Sequence, residues 1–230
     1  MARAALPLFA REIDQPLVGA SILSADFACL GREVTRALRA GADSIHVDVM
    51  DGHFVPNISM GPAICAAVRR IAPRAWLDVH LMVTTPADFI EPFLEAGANH
   101  ISVHVESEGT PRELIRRIHA GGATAGLAIN PNTPWRSLNR YFELAELFLV
   151  MSVHPGFSGQ RFLPSAIEKV RAIRSRVSSS QRVQVDGGVN LETAPACVDA
   201  GCDALVSASA LFGASNYARV VSRLRKGASR

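Results

Sequence analysis

Three short stretches of this chain place imidazoles and carboxylates at the spacing of β-strands. The first reads Ser44-Ile-His46-Val-Asp48-Val-Met50-Asp51-Gly52. The two-residue period of a strand puts His46, Asp48 and Met50 on one face and Ile45, Val47 and Val49 on the other. In Leu77-Asp-Val-His80-Leu-Met82, His80 and Met82 share a face, and Val183-Gln-Val-Asp186-Gly187-Gly188 leaves Asp186 at a strand tip. Two imidazoles and two carboxylates form an N2O2 set for one divalent ion per chain, with zinc, iron, manganese and cobalt all chemically suitable. Taken singly, a strand histidine is more often structural and an Asp before Gly-Gly is usually a turn former. The joint placement at strand ends carries the metal reading.

Anion binding has its own candidates. Gly156-Phe157-Ser158-Gly159, Gly187-Gly188 and Ala208-Ser209 follow three successive apolar stretches late in the chain. Small residues let backbone N–H groups approach a phosphate, and the last loops of a barrel often form such a site. Met50 and Met82 stand one pleat step beyond proposed ligands, and with Met151 they read either as an apolar cap over a reacting carbon or as core filling. His53, His100, His104, His119 and His154 read as loop or surface histidines without partners.

Positioning such residues requires repeated strand ends. Three segments repeat one another, beginning Arg39-Ala-Gly-Ala-Asp, Glu95-Ala-Gly-Ala-Asn and Asp199-Ala-Gly-Cys-Asp, each a helix end capped by Gly and running into a short apolar strand. Their spacing fits units of about 26–28 residues, the size of a βα repeat. Strands are expected at 18–23, 44–49, 76–81, 100–103, 124–129, 147–153, 182–185 and 204–207. Amphipathic helices are expected at 27–39, 86–96, 111–120 and 164–178. Eight such units in 230 residues predict an α/β fold, a single-domain (β/α)8 TIM barrel. Residues 18–226 form this expected barrel, 1–17 a loosely ordered N-terminal extension and 227–230 a C-terminal tail, with 219–230 read as a solvated, fraying helix face.

With 48% hydrophobic and 20% charged residues and a net charge of +3, the composition is that of an ordinary globular protein. It implies neither a nucleic-acid nor a membrane partner. Four scattered cysteines match no zinc or redox pattern, and no apolar run approaches the roughly 20 residues that span a bilayer, so a cytoplasmic protein is expected.

The sequence resembles the ribulose-phosphate 3-epimerase family over residues 18–212. The resemblance is carried by Ala20-Ser-Ile-Leu-Ser-Ala-Asp-Phe, His46-Val-Asp-Val-Met-Asp-Gly-His-Phe-Val-Pro-Asn, Asp78-Val-His-Leu-Met-Val, Val153-His-Pro-Gly-Phe-Ser-Gly-Gln and Val185-Asp-Gly-Gly-Val. It implies that His46, Asp48, His80 and Asp186 bind the metal and that Asp48 and Asp186 are the acid and base. It further implies substrate contacts from Ser21, His80, Asp186 and the small-residue loops, a phosphosugar substrate and a homo-oligomer. The chemistry is coherent: inverting a carbon beside a ketone needs a proton removed from one face and returned to the other, with a Lewis acid for the enediolate.

Two features depart from the family pattern, Ala208 where Gly is expected and His154 where Asn or Glu is more usual. The methyl at 208 is harmless provided the backbone keeps negative φ there, which is the expectation. A Schiff-base aldolase fails for want of a strand lysine, since the two lysines, Lys169 and Lys226, fall in a helix and the tail. The phosphosugar decarboxylase pattern Asp-x-Lys is absent after Asp48. An epimerase for another ketose phosphate such as allulose 6-phosphate, or a silent phosphosugar-binding barrel, remains as an alternative. The pathway, pentose phosphate or carbon fixation, stays open.

Overall fold

A computed structural model describes residues 7–226. Eight parallel strands close in chain order into one barrel, β1 through β8 with β8 paired back to β1. They are β1 Leu17–Ser21, β2 Ser44–Met50, β3 Trp76–Met82, β4 His100–His104, β5 Thr124–Ile129, β6 Leu147–Met151, β7 Arg182–Asp186 and β8 Ala204–Ser207. Every strand lies within two residues of its expected position at either end. The helices are α1 Leu30–Arg39, α2 Pro62–Ile71, α3 Ile90–Glu95, α4 Pro111–Ala120, α5 Ser165–Arg174, α6 Ala194–Asp199, α7 Ser209–Phe212 and α8 Tyr217–Lys226.

The outward strand faces, such as Ile45, Val47 and Val49, pack against this helical ring as the main apolar core. The inward faces differ. On β2, β3, β4 and β7 the barrel interior holds buried His46, Asp48, Asp78, His80, His100, His104 and Gln184, whereas β5 and β6 contribute Ala128, Leu147 and Leu149. Aliphatic layers usually fill such barrels, so a one-sided polar interior needs a reason beyond packing.

Three expectations change. Between β5 and β6 there is no α-helix, only a 3-10 turn at Trp135–Leu138, because Pro131 and Pro134 interrupt the segment that a helix would need. The stretch expected as a loose extension instead plugs the barrel floor over its described part: Leu8 and Phe9 are buried, and Phe9 meets Trp76 and His100 edge-on with ring centroids 5.8 and 4.8 Å away. The basic C-terminal stretch is a packed helix up to Lys226, with Val220, Val221 and Leu224 buried and Arg225 paired to Asp43 at 2.7 Å. Residues 1–6 and the expected tail 227–230 lie outside the described residues. Among the described residues no helix is long and apolar enough to cross a membrane.

Candidate active site

The strand register brings the ionisable residues together. Asp48 on β2 stands directly beside His80 on β3, Met50 beside Met82, and Ser21 on β1 beside His46. Asp186 ends β7 beside Met151 on β6. Donor atoms of His46, Asp48, His80 and Asp186 all lie within 4.8 Å of one another at the C-terminal end of the barrel.

Asp48 Oδ1 is 3.2 Å from His46 Nε2 and 3.1 Å from His80 Nδ1, while Asp186 Oδ2 is 3.7 Å from His80 Nδ1. Ser21, expected as a substrate contact, donates to Asp48 Oδ2 at 2.6 Å and also borders the cavity. The wholly buried His46 ring hydrogen-bonds through Nδ1 to Asp78 at 2.9 Å, yet its Nε2 has no hydrogen-bond partner. A bare nitrogen in a buried ring, aimed at two carboxylates and a second imidazole, is the donor set that a divalent cation needs. The residues therefore fit a metal of the kind the sequence suggests.

Burial and environment set the two carboxylates apart. Burial pushes the Asp48 carboxyl upward, but the His46 and His80 imidazoles outweigh that and hold it below the usual carboxylate range. Burial and the neighbouring Asp48 charge push Asp186 up to about 7. One carboxylate is thus held ionised while the other keeps its proton to near neutral pH.

A cavity opens above this cluster. Asp48, Asp186, Met50, Met82, Met151 and the small-residue loops, 156–159, 187–188 and 208–209, border it, whereas His46 and His80 do not, the latter against its expected substrate contact. Gly187 and Gly188 have φ of +108° and +63°, and a Cβ on either would fall within 3 Å of Val153 or of the Gln160–Phe162 backbone, so only glycine suits the turn after β7. Ala208 keeps φ at −109°, as expected. Met50 and Met82 are buried and cluster with Val55, so they border the cavity and pack its wall at once. Phe157 is exposed on the loop after β6, and Asn57 Nδ2 ties that loop to the one after β2 by donating to the Gly156 carbonyl at 2.7 Å.

Two histidine readings need correction. His100 and His104 are not loop or surface residues: both are wholly buried on β4 and both have partners. His104 Nε2 lies 2.9 Å from His80 Nε2, and its Nδ1 lies 3.0 Å from Glu106. His119 pairs at the surface with Glu146 at 3.0 Å, and His53 and His154 are exposed. Asp78, Gln184 and Glu106 were given no role from the sequence, and His104 was set aside with the loop and surface histidines. Strand parity could have found three of them, since Asp78 shares a face with His80, Gln184 with Asp186, and His104 ends the strand beside His80.

Comparison with known proteins agrees with this geometry. Residues 17–212 match the "Ribulose-phosphate 3 epimerase family". A ribulose-phosphate 3-epimerase of Bacillus subtilis is 43% identical over 212 residues, covering 90% of this chain and 97% of that protein. The Escherichia coli enzyme of the same name is 42% identical, covering 92% and 95%, and that of Synechocystis 44%, covering 91% and 93%. Among solved structures, 3-hexulose-6-phosphate synthase of Salmonella typhimurium superposes with a TM-score of 0.68 at 14% identity, covering 90% of this chain and 96% of that one, a likeness of fold alone. With the family pattern matched over residues 17–212 and sequence relatives matched over nearly their full length, the protein belongs to the ribulose-phosphate 3-epimerase family.

Proposed function

We propose that this protein interconverts D-ribulose 5-phosphate and D-xylulose 5-phosphate by removing and replacing the proton on carbon 3. The observation that carries this reading is the pair Asp48 and Asp186, which reach one cavity from β2 and β7. Strands β1 and β8 separate them around the barrel, which suits a substrate lying between two carboxyl groups.

Asp48, ionised and oriented by the Ser21 hydroxyl, takes the carbon 3 proton from one side. Asp186 delivers a proton from the other, and the reverse reaction exchanges the roles. A divalent cation bound by His46, Asp48, His80 and Asp186, be it zinc, iron, manganese or cobalt, would supply Lewis-acid stabilisation of the negative charge developing on the ketone oxygen. Met50, Met82 and Met151 keep water from the enediolate, and the glycine turn 187–188 with the 156–159 and 208–209 loops receives the phosphate.

Conversion of D-ribulose 5-phosphate in deuterated water tests the reading, with label expected at carbon 3 of both sugars. Conversion without label would remove the proton-transfer mechanism, and preference for allulose 6-phosphate would move the assignment to that substrate. Elemental analysis should find one divalent ion per chain, lost in His46→Ala and His80→Ala.

A further inference from the structure

We propose that His104 and Glu106 are positioning residues for the metal centre, together holding His80 in the one tautomer that turns a bare Nδ1 toward Asp48 and Asp186. The proposal rests on the metal-binding reading of the cluster and extends it to residues that border neither the cation nor the sugar. It follows from counting protons along a short chain of buried groups.

Glu106 stands two residues beyond His104, in the turn that follows β4. Glu106 Oε2 lies 3.0 Å from His104 Nδ1, and His104 Nε2 lies 2.9 Å from His80 Nε2. The two rings meet nitrogen to nitrogen, with planes 22° apart and centroids 5.0 Å apart. An ionised carboxylate can only accept a hydrogen bond, so His104 must carry its proton on Nδ1. A neutral imidazole has one N–H, which leaves Nε2 of His104 as an acceptor. Only one proton fits between the two Nε2 atoms, and it must therefore belong to His80. The lone pair of His80 is then on Nδ1, the atom 3.1 Å from Asp48 and 3.7 Å from Asp186.

The far end of the chain is itself held. Glu106 Oε1 accepts the Asn130 backbone N–H at 2.8 Å, and the Lys169 ammonium donates to the carbonyls of Asn130, Pro131 and Thr133 at 2.9, 2.6 and 2.6 Å, fixing that loop. Phe54 covers the His104 ring at a centroid distance of 4.9 Å. The other imidazole of the cluster is oriented more directly. Asp78 accepts from His46 Nδ1 at 2.9 Å and from Gln184 Nε2 at 2.9 Å, which leaves His46 Nε2 bare. Both rings thus turn a lone pair inward against an outer carboxylate, His46 by contact and His80 through an intervening imidazole.

The test is made on the full-length protein. In the zinc-loaded wild type, labelled with 15N at histidine, long-range proton–nitrogen spectra should show His104 protonated on Nδ1 and His80 on Nε2. His104 protonated on Nε2 would overturn the proposal. Glu106→Gln should weaken zinc binding about 10–100-fold in competition with a chromophoric chelator. It should also release His104 into a mixture of tautomers, because an amide both donates and accepts. Zinc affinity within about twofold of wild type together with an unchanged tautomer overturns the idea, whatever happens to the melting temperature. His104→Phe fills the same space without a nitrogen and should lose at least as much affinity, which serves if Glu106→Gln does not fold. A wild type that takes up no zinc overturns the metal reading and this proposal with it. Equal binding by wild type and both variants leaves the metal centre standing and removes only the positioning pair.

Discussion

His100 and His104 stand on the same face of β4, one turned to the floor of the barrel and the other to its mouth. Both are wholly buried, and burial drives both imidazoles down to about 4. Their partners differ in kind. At the floor, His100 meets the Thr124 hydroxyl at 2.7 Å, the Ser102 hydroxyl at 3.0 Å and the edge of Phe9. Thr124 Oγ1 spends its proton on the Asn99 carbonyl at 3.3 Å and so accepts from His100 Nδ1, which fixes the tautomer through hydroxyls and a backbone carbonyl alone. At the mouth, His104 meets a carboxylate, which only accepts, and a second imidazole. Both ends give their imidazole a direction; at the floor that direction ends in neutral hydroxyls and a backbone carbonyl, and at the mouth it runs on to His80.

The largest effects that could break this contrast lie at the mouth. Asp48→Asn and Asp186→Asn should each lower kcat by about 10²–10⁴-fold, the range for loss of a general acid or base, in a protein that still folds. Steady-state kinetics beside circular dichroism checks this, and near-wild-type turnover in either variant would mean that its carboxylate is only structural. Next in size is the floor. Phe9→Ala removes a wholly buried ring and should cost about 3–5 kcal/mol, read as a fall in Tm with kcat/KM unaltered. A loss of activity without loss of stability would make the floor plug part of the catalytic machinery.

The same substitution at both histidines sharpens the comparison. His100→Phe leaves two hydroxyls short of a partner and should cost about 1–3 kcal/mol of stability, while zinc affinity stays within about twofold of wild type. His104→Phe is expected to do the reverse, sparing stability relative to metal binding. Equal zinc loss at both positions would show that affinity follows barrel packing and not tautomer. The smallest effect is expected at the phosphate end. Because Ala208 keeps φ at −109°, Ala208→Gly relieves no strain and should leave KM for D-ribulose 5-phosphate within about threefold, less than 1 kcal/mol. A tenfold fall in KM would show that the methyl obstructs this sugar.

Strand number, strand position and the inward face of β2 were all legible in the residues, because alternation and helix-capping glycines are local signals that survive into the barrel. Legibility failed where a neighbour in space decides. Pro131 and Pro134 ruled out a helix between β5 and β6 by purely local means and could have been read. The floor plug could not: Leu8 and Phe9 are buried by the ends of strands distant in sequence, and nothing in their own segment announces it.

The amino-acid sequence by itself determined the four inward donors His46, Asp48, His80 and Asp186, since each needs only its own strand's parity and a place at that strand's end. Tertiary structure alone decided what those donors are. Closure of the barrel set Asp48 against two imidazoles and left Asp186 buried beside a charge, so identical side chains hold different protonation states. It also placed a third imidazole and a carboxylate behind His80, where the residues alone read only a loop or surface histidine. Protonation and hydrogen-bond direction depend on distances of about 3 Å between different strands, and register sets those distances only once the sheet has closed.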